Sequence, residues 1–503
     1  MALTESQRNA IRHPVKWFLD PEPRQEGFEG EAIPRKELTA LTVGLIGQNN
    51  HYNLPGTNWF FHFCTNVLKI SPSTVGFMSG SITVFDACND PVAGALIDAH
   101  RFKNGKKLTP WIRYTSPFIA VLAFLLFCNW SFESTGAKVG YCVTIYVLWD
   151  CLYSFQDASL WGLTAMISPN SGQRARAVQW ADIGAFIGGL LPGLLLGVLS
   201  GDRPFGMSQQ QIYLIFAGVL CLGGGFLSMT ATAVKERVPA PPSHDVELIK
   251  NIGVIKHNYI LLLFIASEML NVLCPRVEDI YMFQQLEYPV FGKMMSAGSL
   301  VLILSIVTGL PGTAMKPFAT KIADRIGGMK RIMIIGRLAD LVVKLIAYFI
   351  GIKTLPALIA VYALQIIAFL PNGIYGIAMR TMIADSVDYV EWKTGERTEG
   401  ITMSMRNFTS KITGAISRFM QGITLTFLQY NADNVDLKIP QNAHFTKWAW
   451  PMRQLGGVFG LCLSLIPLLL LKYPDSLKEK VERELAERRA LKAAEESGGD
   501  TDG

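Results

Sequence analysis

Three carboxylates stand where carboxylates are costly. Inside a long apolar segment, Asp86-Ala-Cys-Asn89-Asp90 sets Asp86 and Asp90 four residues apart, on one helix face, with Asn89 beside them. Two apolar segments later, Ser154-x-x-Asp157-x-x-x-Trp161 again shares one face. An ionisable residue at the bilayer centre costs about 2.5–3.5 kcal/mol, so the trio left uncompensated costs roughly 8–10 kcal/mol. A bound cation or protons must offset that. Carboxylate, amide and hydroxyl oxygens are hard ligands, suited to an alkali cation or a proton. The plainer reading is that such carboxylates only bond helices together. It suits Asp98 at a helix end and Asp340, four residues before Lys344. It suits the trio poorly, because no basic residue lies within a turn of any member.

A lysine answers them from far along the chain. Lys411 sits mid-segment in Asn407-Phe-Thr-Ser-Lys411-Ile-Thr-Gly414. A lone buried lysine needs a carboxylate partner, and the acidic cluster is the candidate. Arg406 and Arg418 flank it and either snorkel or line a cavity. Near the start, Gln48-Asn49-Asn50-His51-Tyr52 precedes Pro55-Gly56. Amides deep in a helix serve inter-helix hydrogen bonds or hydroxyl recognition, and Pro-Gly marks a kink or break. Trp59, Trp149 and Tyr153 read as lipid-belt or packing residues. Trp161 shares the Asp157 face and is placed to stack on a sugar ring.

The elements that position these groups are apolar blocks of about 20 residues, the length of a bilayer-spanning helix. Half of the 503 residues are apolar and 17% charged, with mean hydropathy +0.28. Twelve segments are expected near 39–65, 73–98, 110–130, 139–167, 178–200, 210–234, 257–281, 295–318, 330–351, 354–381, 400–429 and 451–472. Residues 1–38 form a polar tail without a signal-peptide pattern, in which Ser6 to Phe18 is a short surface-helix candidate. Residues 473–503 form a charged tail, a solvated helix followed by a disordered end. Basic residues fall in alternate loops, which puts both termini in the cytoplasm after an even number of crossings.

The chain also repeats itself. Gly94-x-x-x-Asp98-x-x-Arg101 with Gly105-Lys106-Lys107 follows the second segment, and Asp324-Arg325-x-Gly327-Gly328-x-Lys330-Arg331 follows the eighth. The two Asp residues stand 226 positions apart, close to half the membrane domain. An Asp at a helix end beside Arg and Lys makes an ion-pair clamp between helices, so Asp98, Arg101, Asp324 and Arg325 are candidate gate residues. The fold class that follows is an all-α membrane protein of twelve helices in two six-helix halves, 39–234 and 257–472, joined by a cytoplasmic loop at 235–256.

Several functions are excluded. The net charge of +6 lies in alternate loops rather than one patch, so no nucleic-acid partner is expected. The eight cysteines show no C-x-x-C spacing and the seven histidines no ligand pattern, so no metal beyond an alkali cation is expected. A phosphate-binding P-loop and a nucleophile–base set are both missing, so neither ATP-driven transport nor an enzyme is expected.

Longer motifs carry a resemblance. Phe85-Asp86-Ala-Cys-Asn89-Asp90-Pro91-x-x-Gly94-x-x-x-Asp98, followed by Gly105-Lys106, resembles the second-helix signature of the glycoside–pentoside–hexuronide:cation symporters. Ala384-Asp385-Ser-Val-Asp388-Tyr389-x-Glu391-Trp392-Lys393-Thr394-Gly395-x-Arg397-x-Glu399-Gly400 resembles the family's loop between helices ten and eleven. The resemblance covers about 39–472 and implies a major facilitator fold. It also implies a cation site of Asp86, Asn89, Asp90, Ser154 and Asp157, with Asp157 and Trp161 touching sugar and Lys411 near the cavity. Asn49 and Asn50 replace a family Lys-Asp pair, and a sugar-binding arginine aligns near Asp182; with Asn407 these complete the candidate solute positions. The implied function is symport of a glycoside, hexuronide or related polar solute with Na+ or H+, Li+ being an alternative ion, with no other cofactor. A monomer in contact with lipid in the plasma (cell inner) membrane is expected. The competing readings are a cation-coupled carrier of an amphipath such as a lysolipid, and a transporter-like membrane sensor.

Overall fold

A computed structural model describes residues 32–498 except 101, 103–104, 201–205, 239–255, 257, 316–317, 396–398 and 438. The surface-helix candidate at Ser6 to Phe18, Arg101, Arg397 and most of the middle loop lie outside the described residues. Each expected segment carries helix, and further helices and a hairpin lie between or beyond them. Four helices, Gly172–Ser200, Gln209–Ala233, Leu355–Thr394 and Ala443–Leu470, are long and apolar enough to cross a membrane on length and composition alone. Large apolar side chains such as Phe118, Phe226, Phe349 and Phe459 point outward, as in a lipid-facing surface.

The first segment breaks where Pro-Gly marks it. Helix α1 (Arg35–Asn53) stops, and α2 (Asn58–Asn66) resumes after a short gap. Helix α3 (Pro72–Ala99) starts at a Ser71 cap with Pro72 in the first turn. Pro91 lies inside it and withholds an N–H one residue after Asp90. Helices α4 (Thr109–Leu125) and α5 (Thr135–Met166) follow. Then come α6 (Ser171–Leu190) with α7 (Leu194–Ser200), and α8 (Gln209–Ala217) with α9 (Gly223–Ser228).

The second half begins with another broken helix, α10 (Tyr259–Val272) and α11 (Asp279–Phe283), where one continuous span is expected from sequence. A hairpin, Glu287–Val290 with Lys293–Ser296, leads into α12 (Ala297–Met315) and α13 (Ala319–Ile326). Helices α14 (Met329–Ile350), α15 (Leu355–Thr394), α16 (Glu399–Phe427), α17 (Ala432–Asp436) and α18 (Ala443–Leu470) complete it. Helix α15 runs well past the expected end of its segment. The charged tail forms α19 (Asp475–Gly498), which docks rather than floats: Val481 and Leu485 are buried, and Trp392 Nε1 donates to Glu484 at 2.6 Å.

The apolar cores show how the halves meet. One cluster, far from the tails, mixes residues of both halves, including Phe61 and Ile70 with Ile280 and Leu428. Buried polar pairs cross the same region: Asn66 Nδ2 donates to Tyr430 OH at 2.9 Å, and Thr65 Oγ1 lies 2.9 Å from Tyr281 OH. Lys69 pairs there with Asp433 at 3.1 Å and Asp436 at 2.7 Å. At the end carrying the tails the cores separate. One holds Leu41, Leu163 and Val234, and the other Phe264, Met382 and Leu471. Among the described residues, the bundle is therefore sealed at the far end and split at the tail end.

Candidate functional site

The site forms where α3, α5 and α16 converge beside the break in α1. Backbone contact brings α3 to α16: a Cβ on Gly422 would lie 2.6 Å from Pro72 O, and one on Gly76 would lie 2.9 Å from Gly422 Cα. Only paired glycines permit that approach. It carries Lys411 onto the acidic face of α3, where Lys411 Nζ lies 2.5 Å from Asp86 Oδ1 and 2.5 Å from Asp90 Oδ2. The carboxylate partner expected for a lone lysine is therefore found in the other half of the chain. Helix α5 reaches the same point through Ser154. Ser154 Oγ donates to Asp90 Oδ1 at 2.9 Å and accepts from Asn89 Nδ2 at 3.0 Å.

Asp157 stands apart from that cluster. Its Oδ1 accepts from Gln48 Nε2 at 2.5 Å and from Tyr153 OH at 3.3 Å, which ties α5 to α1. The place nearer Asp86 is taken by Asp150, two turns earlier on the same face. Asp150 is buried, its Oδ2 has no hydrogen-bond partner among the described residues, and it shares a cavity with Asp86. Asp150 is not among the positions expected from sequence, although the spacing that links Ser154 to Asp157 extends back to it. Gln48 is one of several amides in its stretch of sequence, and its bond to Asp157 is what singles it out.

The cavity holds about 230 Å³, and its wall includes Tyr52, Asp86, Trp149, Asp150, Lys411 and Arg418. Arg418 Nη2 donates to Gly56 O at 2.6 Å, fixing the guanidinium on the exposed backbone of the α1 break. Tyr52 stacks on Tyr153 with ring centroids 4.9 Å apart, and Tyr153 on Trp149 at 5.2 Å. An aromatic face beside two cations and several carboxylates can hold a polyhydroxy ring and grip an anionic substituent.

The other expected positions lie elsewhere. Trp161 packs on the tail-end core of the first half. Asn49 Nδ2 donates to Leu45 O at 3.0 Å and Gln48 Oε1 at 2.7 Å, within its own helix. Asn50 is buried where α1 crosses α9, close to Gly224. Asp182 and Asn407 are exposed and line no part of the cavity. Asp98 pairs with Lys107 at 2.6 Å, whereas Asp324 and Arg325 are exposed, with no ion-pair partner among the described residues. The pair read as structural, Asp340 with Lys344, forms at 3.4 Å.

Comparison with known proteins gives consistent results. The profile of a family described as MFS/sugar transport protein matches residues 42–451. A protein of Escherichia coli (strain K12) named as a putative 2,3-dihydroxypropane-1-sulfonate exporter is 25% identical, over 89% of this chain and 94% of its own. The isoprimeverose transporter of Lactiplantibacillus pentosus is 26% identical, over 92% of this chain and 93% of its own. Among solved structures, the nucleoside transporter NupG superposes with a TM-score of 0.60 at 13% identity, over 87% of this chain and 100% of that one. At that identity the match establishes the fold.

Proposed function

Because the chain belongs to the family of MFS/sugar transport proteins, we propose that it carries a polyhydroxy solute across the membrane together with Na+ or H+, at the cavity between α3, α5 and α16. It is an integral membrane transporter of the major facilitator fold, not an enzyme. One observation carries the mechanism: the Lys411 ammonium lies between Asp86 and Asp90, where a coupling cation would bind. Asp150, Asn89 and Ser154 supply further hard oxygen atoms around that point. An arriving cation takes the two carboxylates and releases Lys411 toward the cavity. The freed ammonium and Arg418 then meet the solute's oxygens while Tyr52 and Trp149 pack on its ring. Each ligand thereby raises the affinity of the other by the same factor.

The solute class is a glycoside, hexuronide or related polar solute with an anionic group, which suits two cations on the wall and the sulfonate and sugar named for the relatives. The two halves, near 39–234 and 257–472, rock about this site. The basic residues of alternate loops support both tails lying in the cytoplasm, with the sealed far end outward and the present state open inward. When the tail end closes, Asp98, Asp324 and Arg325 are the gate residues that meet partners across the halves. The working assembly is a monomer in the plasma (cell inner) membrane.

Titration of the reconstituted protein tests this reading, with tryptophan fluorescence as readout, since Trp149 lies on the cavity wall. Saturable Na+ or Li+ binding assigns an alkali cation, and a signal set by pH alone assigns a proton. A protein blind to both ions contradicts the proposal.

A further inference from the structure

Both halves interrupt their first helix. In the first half, Gly56 lies in the gap between α1 and α2 and lines the central cavity. In the second half, helix α10 ends at Val272 and α11 begins at Asp279. Non-helical backbone at membrane depth is tolerated only where protein buries it or a watery cavity receives it. Interrupted helices at matching positions of two repeats point to solute sites. The interrupted stretch from Cys274 to Glu278 lines a second cavity, of about 280 Å³, whose remaining walls come from α10, α14 and α18. It shares no lining residue with the central one.

Four cations line this second cavity: Arg276, Arg337, Lys344 and Arg453. Two carboxylates, Glu278 and Asp340, line it as well. The existing pairings leave donors over. Arg453 Nη2 meets Asp279 Oδ1 at 2.5 Å, and Arg337 Nη2 donates to Glu268 Oε1 at 2.7 Å and to Tyr375 OH at 2.9 Å. The Nε–H groups of Arg276 and Arg337 are buried without an acceptor among the described residues. Burying an unmade donor is costly, and the guanidinium fork fits an oxyanion in bidentate fashion. Gly457 keeps room for the lysine: a Cβ there would lie 2.9 Å from Lys344 Cδ.

We propose that this cavity is a second binding site, which takes a small oxyanion of carboxylate, phosphate or sulfonate type, free or carried on a lipid headgroup. The flanking carboxylates keep the empty cluster near charge balance, so the site selects by hydrogen-bond geometry and binds with modest affinity. Lipid is a source because α14 and α18 also present apolar side chains, Phe349 and Phe459 among them, to the outside of the bundle. Occupancy is independent of Asp86, Asp90 and Lys411.

The test is the thermal unfolding midpoint of the purified full chain in detergent. Potassium phosphate is titrated against potassium chloride at equal ionic strength, and phosphatidic acid is titrated in mixed micelles. The expected result is a saturable rise of about 2 °C or more, kept in Asp90→Asn and lost in both Arg276→Gln and Gly457→Leu. A rise with phosphate assigns a free oxyanion. A rise with phosphatidic acid alone assigns a lipid headgroup. Either supports the site. No rise with either probe, or an equal rise in all variants, overturns it. Gly457→Leu fills the cavity without removing a charge, so the test survives if Arg276→Gln does not fold.

Discussion

Replacing Asp90 by Asn keeps the size of the side chain and removes one charge from the proposed cation site. Asp90 makes two polar contacts, one to Lys411 at 2.5 Å and one to Ser154 at 2.9 Å. A hydrogen bond to a charged group is worth about 1.5–3 kcal/mol. The Asp90 side chain is 45% exposed, so solvent screening places the loss at the lower end. That end corresponds to roughly a tenfold to thirtyfold weaker coupling cation. Through linkage, the cation concentration needed for tight solute binding rises by the same factor, whereas solute binding at saturating cation persists. The assay is fluorescence titration of cation with and without solute, on wild type and Asp90→Asn in parallel. Unchanged cation affinity in the variant refutes the reasoning, as does solute binding that responds to cation at the wild-type concentration.

Three further outcomes follow from the geometry. Tyr52→Ala removes the outer ring of the aromatic stack and should weaken solute binding about twofold to tenfold, with cation affinity unchanged by direct titration. Gly373→Ala would set a Cβ 1.9 Å from the Gly312 carbonyl oxygen, forcing α12 and α15 apart; overpacking of about 1–3 kcal/mol should lower the thermal midpoint, whereas Gly376→Ala, with open space around it, should not. At the tail end, burial pushes the Glu236 carboxyl up, but hydrogen bonds from the Thr109, Lys107 and Leu108 backbone and the Thr109 hydroxyl outweigh it and hold its pKa below the usual 4.5. Its stabilisation is present above that value and drains as pH falls through the lower folded value, so the thermal midpoint should drop in acid, and Glu236→Gln should flatten that drop.

The pairing of Lys411 with Asp86 and Asp90 was legible because burial leaves charged residues few choices. Asp86, Asp90 and Lys411 each demand an opposite charge, and one lysine near two carboxylates is the economical solution. The break at Pro55-Gly56 was legible for an equally local reason. The second break, after Val272, was not, because Pro275 and the charges Arg276, Glu278 and Asp279 that follow it sit between apolar stretches that together reach the length of one spanning helix. Trp161 shares a helix face with Asp157, but α5 is long enough that one face serves both the cavity and the tail-end core. Asp150 sits on that same face nearer the middle, where convergence with α3 decides which carboxylate meets the cluster. Such convergence depends on glycine contacts between helices distant in sequence, such as Gly76 with Gly422. Single-helix periodicity carries no information about it.

The central claim is that a cation gradient drives solute movement through this chain. The direct measurement is uptake of labelled intact solutes, glycosides and hexuronides first, into proteoliposomes under imposed Na+ or H+ gradients. One charge crossing 100 mV is worth about 2.3 kcal/mol, which is roughly fiftyfold accumulation. Accumulation above the outside concentration that collapses with the gradient, and that in Asp90→Asn needs a roughly tenfold to thirtyfold higher cation concentration, is the expected result. Solute that only equilibrates in the wild type, whichever ion gradient is imposed, would contradict the account.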